Sequence, residues 1–84
     1  MFTVYILKNF KNGKYYVGQT ENINNRIKRH NSGKVTSTRY FIPWEIIYTE
    51  DSPTRGEARK RENEIKNYKG GIKFKKLLGL WNDN

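Results

Sequence analysis

KYYVGQTENINNRIKRH, residues 14–30, is the stretch whose reading decides the fold. Its first part is rich in β-formers and stops at Gly18. Its second part carries Ile23 and Ile27 four apart, the spacing of one helix face. A strand, a polar turn and a helix therefore follow one another directly. In the turn, Thr20 or Asn22 can cap the helix, and Glu21 sits near the positive end of its dipole. Arg26 and His30 are also four apart and flank the isoleucine stripe, so they belong at the edge of the core. Asn31-Ser32-Gly33 ends the helix. Tyr16, Arg26 and His30 thus offer a hydroxyl, a guanidinium and an imidazole from adjacent elements. Ordinary strand–helix packing does not require that set; a site that holds a phosphate and moves a proton does.

Toward the N-terminus, residues 2–8 read as a first strand, with Phe2, Val4 and Ile6 on one face and Thr3, Tyr5 and Leu7 on the other. Asn12-Gly13 signals a type I′ hairpin turn, so residues 14–18 return antiparallel, Tyr16 and Gly18 sharing a face. Toward the C-terminus, residues 34–42 have no clear period and read as a loop able to lie along a nucleic-acid backbone. Residues 44–49 form a third strand, and Thr54-Arg55-Gly56-Glu57 fits a capping box opening a helix over 55–68. In that helix Glu62 lies four after Ala58 and three before Ile65, on the inward stripe. A carboxylate there costs free energy unless it pairs with Arg59 or Lys66 or holds a metal. Gly70-Gly71 breaks the chain, and residues 72–81 read as a last helix with Phe74, Leu77, Leu78 and Trp81 on one face, before a frayed 82–84. The expectation is a single domain over residues 1–84 of α/β (α+β) class.

The formal charge is +9, from 17 Lys and Arg against 8 Asp and Glu. In a small domain that points to a polyanion, with nucleic acid first and a merely solubilising surface as the plain alternative. The basic residues are spread along the chain rather than along one amphipathic helix, which disfavours a membrane surface. There is no cysteine, which excludes disulfides and thiolate metal sites and fits a reducing compartment. No apolar run is long enough to span a bilayer, and the N-terminus lacks the features of a signal peptide. A cytoplasmic monomer is expected.

Tyr5, Tyr16, Arg26, His30 and Glu62 stand out together. Phosphodiester hydrolysis needs an activated water, neutralised phosphoryl oxygens and a stabilised leaving oxygen. Glu62 can hold one Mg²⁺ or Mn²⁺, since such cations use few protein carboxylates and keep several waters. Arg26 has the planar fork that suits phosphate oxygens. Tyr16 or His30 can take a proton from water, directly or through a neighbour, and Tyr5 lies on the paired strand where its hydroxyl can converge with that of Tyr16. No further carboxylate joins Glu62 at metal-ligand spacing, which argues against a two-metal centre. Lys28, Arg29, Arg39, Lys60, Lys66 and Lys69 are the candidates for phosphate contacts, which position a duplex without reading its sequence.

The order Val4-Tyr5-Ile6, Tyr16-Val17-Gly18, Arg26, His30, then Glu57-Ala58, Glu62 and Ile65-Lys66 resembles the GIY-YIG nuclease superfamily. The likeness covers nearly the whole chain and is greatest to small stand-alone members similar to the N-terminal cleavage domain of the UvrC repair endonuclease. It implies a three-stranded antiparallel sheet flanked by helices and cleavage of DNA with one divalent metal. It also implies roles for Tyr5 and Tyr16 as the motif tyrosines, Arg26 as phosphate ligand, His30 as support and Glu62 as metal ligand. Three positions depart from the pattern: Thr3 where the first motif often has glycine, Gln19 where UvrC-like members have lysine, and Phe74 where they have asparagine. The function expected is a metal-dependent DNA endonuclease; the alternative is a non-catalytic nucleic-acid-binding module on the same fold.

Overall fold

A computed structural model describes residues 1–36 and 38–80. Three strands, β1 (Phe2–Asn9), β2 (Lys14–Thr20) and β3 (Glu45–Ser52), form an antiparallel sheet of order β2-β1-β3. Three helices, α1 (Ile23–Asn31), α2 (Arg55–Lys66) and α3 (Ile72–Leu77), accompany it, with a 3-10 turn at Arg39–Phe41. The fold is the expected α/β class with a three-stranded antiparallel sheet.

The central strand explains the two-sided architecture. Val4, Tyr5, Ile6 and Leu7 are all at most 1% exposed, so β1 is covered on both faces. On one face Val4, Ile6 and Val17 meet Ala58 and Ile65 of α2 and Phe74 of α3. On the other, Tyr5 and Leu7 meet Trp44, with Tyr16, Ile23, Ile27 and Phe41 packed around them. Each fully buried aliphatic side chain contributes roughly 1.5–3 kcal/mol of transfer free energy. An ion-pair group fastens α2 to the edge strand β3: Arg61 Nε donates to both oxygens of Glu50 at 3.0 and 3.1 Å, and Tyr48 donates to the same carboxylate at 2.7 Å.

The caps choose among the possibilities in the sequence. Asn22, not Thr20, caps α1: its side chain accepts from the Asn25 N–H at 3.0 Å, while the Thr20 hydroxyl accepts from the Asn22 N–H. Thr54 caps α2 by accepting from the Glu57 N–H at 3.1 Å. Gly33 (φ +79°) closes α1 as expected, and its left-handed conformation lets the next N–H, that of Lys34, return to the Arg29 carbonyl.

Several expectations are corrected. The β1–β2 connection is not a two-residue type I′ turn. Only Gly13 takes positive φ, and residues 10–13 form a four-residue loop in which the Gly13 N–H bonds the Asn9 carbonyl at 2.8 Å. The Asn9 side chain sets this loop by accepting from the N–H groups of Lys11 and Asn12. β3 begins after Trp44 and runs on to Ser52, with a register shift opposite Ile6 and Leu7. α2 stops at Lys66, where Lys69 and Gly70 take left-handed conformations. α3 ends at Leu77 because Gly79 (φ +73°) turns the chain and the Leu80 N–H returns to the Lys75 carbonyl. Trp81 and residues 82–84 lie outside the described residues.

Candidate active site

The site is built on the α1 face of the sheet. β1 and β2 pair in register so that Tyr5 stands opposite Gly18. The Tyr5 ring crosses directly over that glycine. A Cβ at Gly18 would lie 2.5 Å from the Tyr5 hydroxyl oxygen, 2.7 Å from its Cζ and 3.1 Å from Cε1 of Tyr16. Only a residue without a side chain allows this approach. The two tyrosine rings, brought together, lie 6.2 Å apart between centroids, tilted by 32°.

α1 then supplies the imidazole. His30 lies deeper than the core edge expected of it, at 0% exposure. Both ring nitrogens are engaged: Nε2 with the Tyr5 hydroxyl at 3.0 Å and Nδ1 with the Thr38 hydroxyl at 2.8 Å. Burial first, then the nearby Arg26 and Arg29, lower its pKa from the ordinary 6.5, so the ring is neutral near pH 7 and donates from one nitrogen while accepting at the other. Its edge packs on Tyr16, 4.8 Å between centroids. A buried imidazole with both nitrogens occupied is not placed to take a proton from water directly. It holds the Tyr5 hydroxyl.

Tyr5 is itself shut away. Burial and the neighbouring Tyr16 raise its pKa well above the ordinary 10.0; Arg26 opposes this and Glu62 adds to it. Tyr5 therefore remains a protonated phenol. Arg26 of α1 and Glu62 of α2 are both near enough to Tyr5 for their charges to act on its hydroxyl, in opposite directions. The Tyr16 hydroxyl, in contrast, has no hydrogen-bond partner among the described residues, yet it is not a buried unsatisfied group and so reaches solvent. Arg26 is likewise unpaired and lines a cleft of about 300 Å³ beyond the end of β2.

Glu62 is largely covered, its side chain 17% exposed, and Oε2 is ion-paired with Lys66 at 2.5 Å. Oε1 has no partner and is not sealed from solvent. No group of three His, Cys, Asp or Glu side chains gathers anywhere among the described residues. This donor set fits a single hard cation that keeps most of its waters and takes its other oxygens from a phosphate. It does not fit a tetrahedral zinc centre or a pair of metals.

The surface cations divide. Arg29 lines the same cleft as Arg26. Lys66 is occupied by Glu62, and Arg39 folds back on its neighbour, donating to the Tyr40 hydroxyl at 2.7 Å. Lys28, Lys60 and Lys69 are exposed on separate segments.

Sequence reasoning missed three supports. Thr38 falls in a segment expected to run along a nucleic-acid backbone; instead it is 1% exposed and holds His30. Trp44, expected to open a strand, is buried and donates its indole N–H to the Thr38 carbonyl at 3.0 Å. Asn31, at the end of α1, binds both backbone groups of Trp44, accepting at 2.6 Å and donating at 3.1 Å. The loop is thereby folded over the imidazole as a lid of polar contacts. Only the cluster of small polar residues around Thr38 hinted at it, and no local period could.

Residues 1–75 match the GIY-YIG catalytic domain family. A UPF0213 protein of Staphylococcus epidermidis is 40% identical over 75 residues, 88% of this chain and 90% of that protein. One from Staphylococcus aureus is 39% identical over 66 residues, 77% and 79% of the two chains. The solution NMR structure of a UPF0213 protein from Bacillus halodurans superposes with a TM-score of 0.58 at 35% identity, covering 99% of this chain and 88% of the other. The tyrosine pair crossed over Gly18, the buried imidazole behind it and the sequence match across all three strands and the first two helices lead to one conclusion: this chain belongs to the GIY-YIG family.

Proposed function

We propose that this protein is a metal-dependent DNA endonuclease. The observation that carries the reading is the division of labour between the tyrosines: one hydroxyl is fixed and buried on His30, the other is unpaired and open to solvent, and the Arg26 guanidinium on the adjoining helix is unpaired as well. Simple binding of a polyanion needs neither.

In this reading Arg26 receives two phosphoryl oxygens on its planar fork and neutralises charge that grows as water attacks. Tyr16 orients that water. Its oxygen accepts the water proton while its own phenolic proton passes to solvent, so the phenol is regenerated. The new bond joins water oxygen to phosphorus; the bond to the leaving sugar oxygen breaks, and that oxygen takes a proton from solvent. Tyr5 stays protonated, held by His30, and serves as a fixed donor and wall behind Tyr16. When bound on Glu62, a single Mg²⁺ or Mn²⁺ supplies positive charge for the phosphoryl and leaving oxygens. Lys66 holds the carboxylate in its place until then. Lys28, Lys60 and Lys69 give sequence-independent attraction to the backbone, so affinity should fall steeply with salt.

The test is cleavage of labelled duplex, single-stranded, flapped and branched DNA, with RNA alongside, in Mg²⁺ or Mn²⁺. Wild type is compared with Glu62→Gln and Tyr16→Phe after folding is checked. Metal-dependent cleavage lost in both variants is expected. Binding without cleavage, equal in all three proteins, would favour a non-catalytic binding module on the same fold.

A further inference from the structure

The cleft beyond the end of β2 has features the hydrolytic reading leaves unused. It encloses about 300 Å³, and its lining includes the carboxamides Gln19, Asn22 and Asn25, the guanidiniums Arg26, Arg29 and Arg55, the Phe2 ring and one carboxylate, Glu21. The volume suits a nucleotide-sized group. Three guanidiniums from α1 and α2 converge there. Arg26 and Arg29 have no ion pair or hydrogen bond to their side chains among the described residues. Arg55 lies over the Phe2 ring, 5.3 Å from its centroid, and makes a loose contact with Glu21 at 3.6 Å. That contact is solvent-exposed on both sides, so it is weak and easily exchanged for a stronger anion. The three carboxamides add donors and acceptors, and α1 brings no carboxylate of its own in its first turn.

We propose that this cleft is a second phosphate subsite, which takes the nucleotide next to the scissile phosphate on the same DNA strand. The proposal rests on the nuclease reading, because Arg26 is shared between the two positions and sets the strand's register. Arg29 and Arg55 hold the neighbouring phosphate. Glu21 competes with it for Arg55 and leaves that guanidinium when the strand arrives. Arg55 is thereby assigned to substrate binding, a role its place in the capping segment gave no reason to expect.

The experiment measures binding of a fluorescein-labelled DNA by fluorescence anisotropy, in chelator and at low salt, so that no cleavage intervenes. The double variant Arg29→Gln/Arg55→Gln is compared with Lys11→Gln/Lys75→Gln, which removes the same charge from exposed positions elsewhere. The cleft pair should weaken binding by about 30-fold or more and the control pair by about threefold, since hydrogen-bonded arginine–phosphate contacts exceed diffuse attraction. Glu21→Gln should tighten binding a few-fold, by about the worth of one exposed charge contact. Equal losses in the two double variants would overturn the subsite while leaving the nuclease reading standing. No binding by wild type to DNA at all would overturn both. Where wild type cleaves a mapped bond, a methylphosphonate replacing the adjacent phosphate should cost wild type most of what the cleft variant has already lost. Such a replacement should cost the cleft variant little more; full additivity would count against the proposal.

Discussion

The two faces of one strand carry opposite kinds of order. On one side of β1, Val4 and Ile6 pack on the apolar side chains of Val17, Ala58, Ile65 and Phe74. On the other, Tyr5 and Leu7 share their space with His30, Thr38 and Trp44, and every buried side-chain nitrogen and oxygen there has a partner. The aliphatic face gains from area and is indifferent to direction. The aromatic face gains little from each hydrogen bond but loses heavily if one is left unmade. A small domain can thus place a polar, hydrogen-bonded surface on one face of its central strand while the other face is closed by direction-independent apolar packing.

The comparison is broken most severely from the aliphatic side. Ile65→Ala should destabilise the fold by about 2–5 kcal/mol, as buried large-to-small changes do, while leaving cleavage per folded molecule unchanged. Chemical denaturation joined to an activity assay on the folded fraction checks both halves. Gly18→Ala acts on the other face. The added methyl must displace the Tyr5 ring, with about 1–3 kcal/mol of strain. Its larger signature is a fall in cleavage of about 100-fold, since misplacing a reacting group by an ångström has that effect. An activity loss no greater than the stability loss would show that the tyrosine crossing serves packing alone.

Adjacent residues sharpen the contrast further. Tyr5→Phe removes one oxygen and leaves a buried imidazole nitrogen unpaired, at about 1–3 kcal/mol. Ile6→Val removes one methyl from the opposite face, at about 0.5–1.5 kcal/mol. Thermal melts of the pair should rank in that order. The smallest effect is in pH. The folded pKa of His30 is depressed below the unfolded 6.5, so its contribution is present above that pH. Below it, the unfolded chain binds a proton that the folded one refuses, and stability falls until the folded pKa is reached. The slope is at most about 1.4 kcal/mol per pH unit for one proton. Melting temperature should fall with acid below pH 6.5 in wild type, and less steeply in His30→Gln; identical slopes would place the acid sensitivity elsewhere.

The sequence by itself determined that three strands exist and in what order, where the helices start, and the pairing of Tyr5 with the Tyr16–Gly18 strand, because these follow from residues close in the chain; it did not give the strand ends, since β2 runs past Gly18 to Thr20 and β3 past Thr49 to Ser52. Alternation sets a strand's faces, a side chain two or three residues away caps a helix, and glycine ends one. It also marked Glu62 as a carboxylate on an apolar stripe, with Lys66 among its possible partners. Tertiary structure alone decided the rest. The hairpin loop follows Asn9, whose buried carboxamide reaches Pro43 as well as the loop, rather than the Asn-Gly preference. The burial of His30 depends on Thr38 eight residues later, and Thr38 is held through Trp44 by Asn31. The opposed charges of Arg26 and Glu62 reach Tyr5 from two helices separated by an entire strand. Periodicity reports which way a side chain points from its own element; it carries no distance to a group on another, and the chemistry of this face is made of those distances.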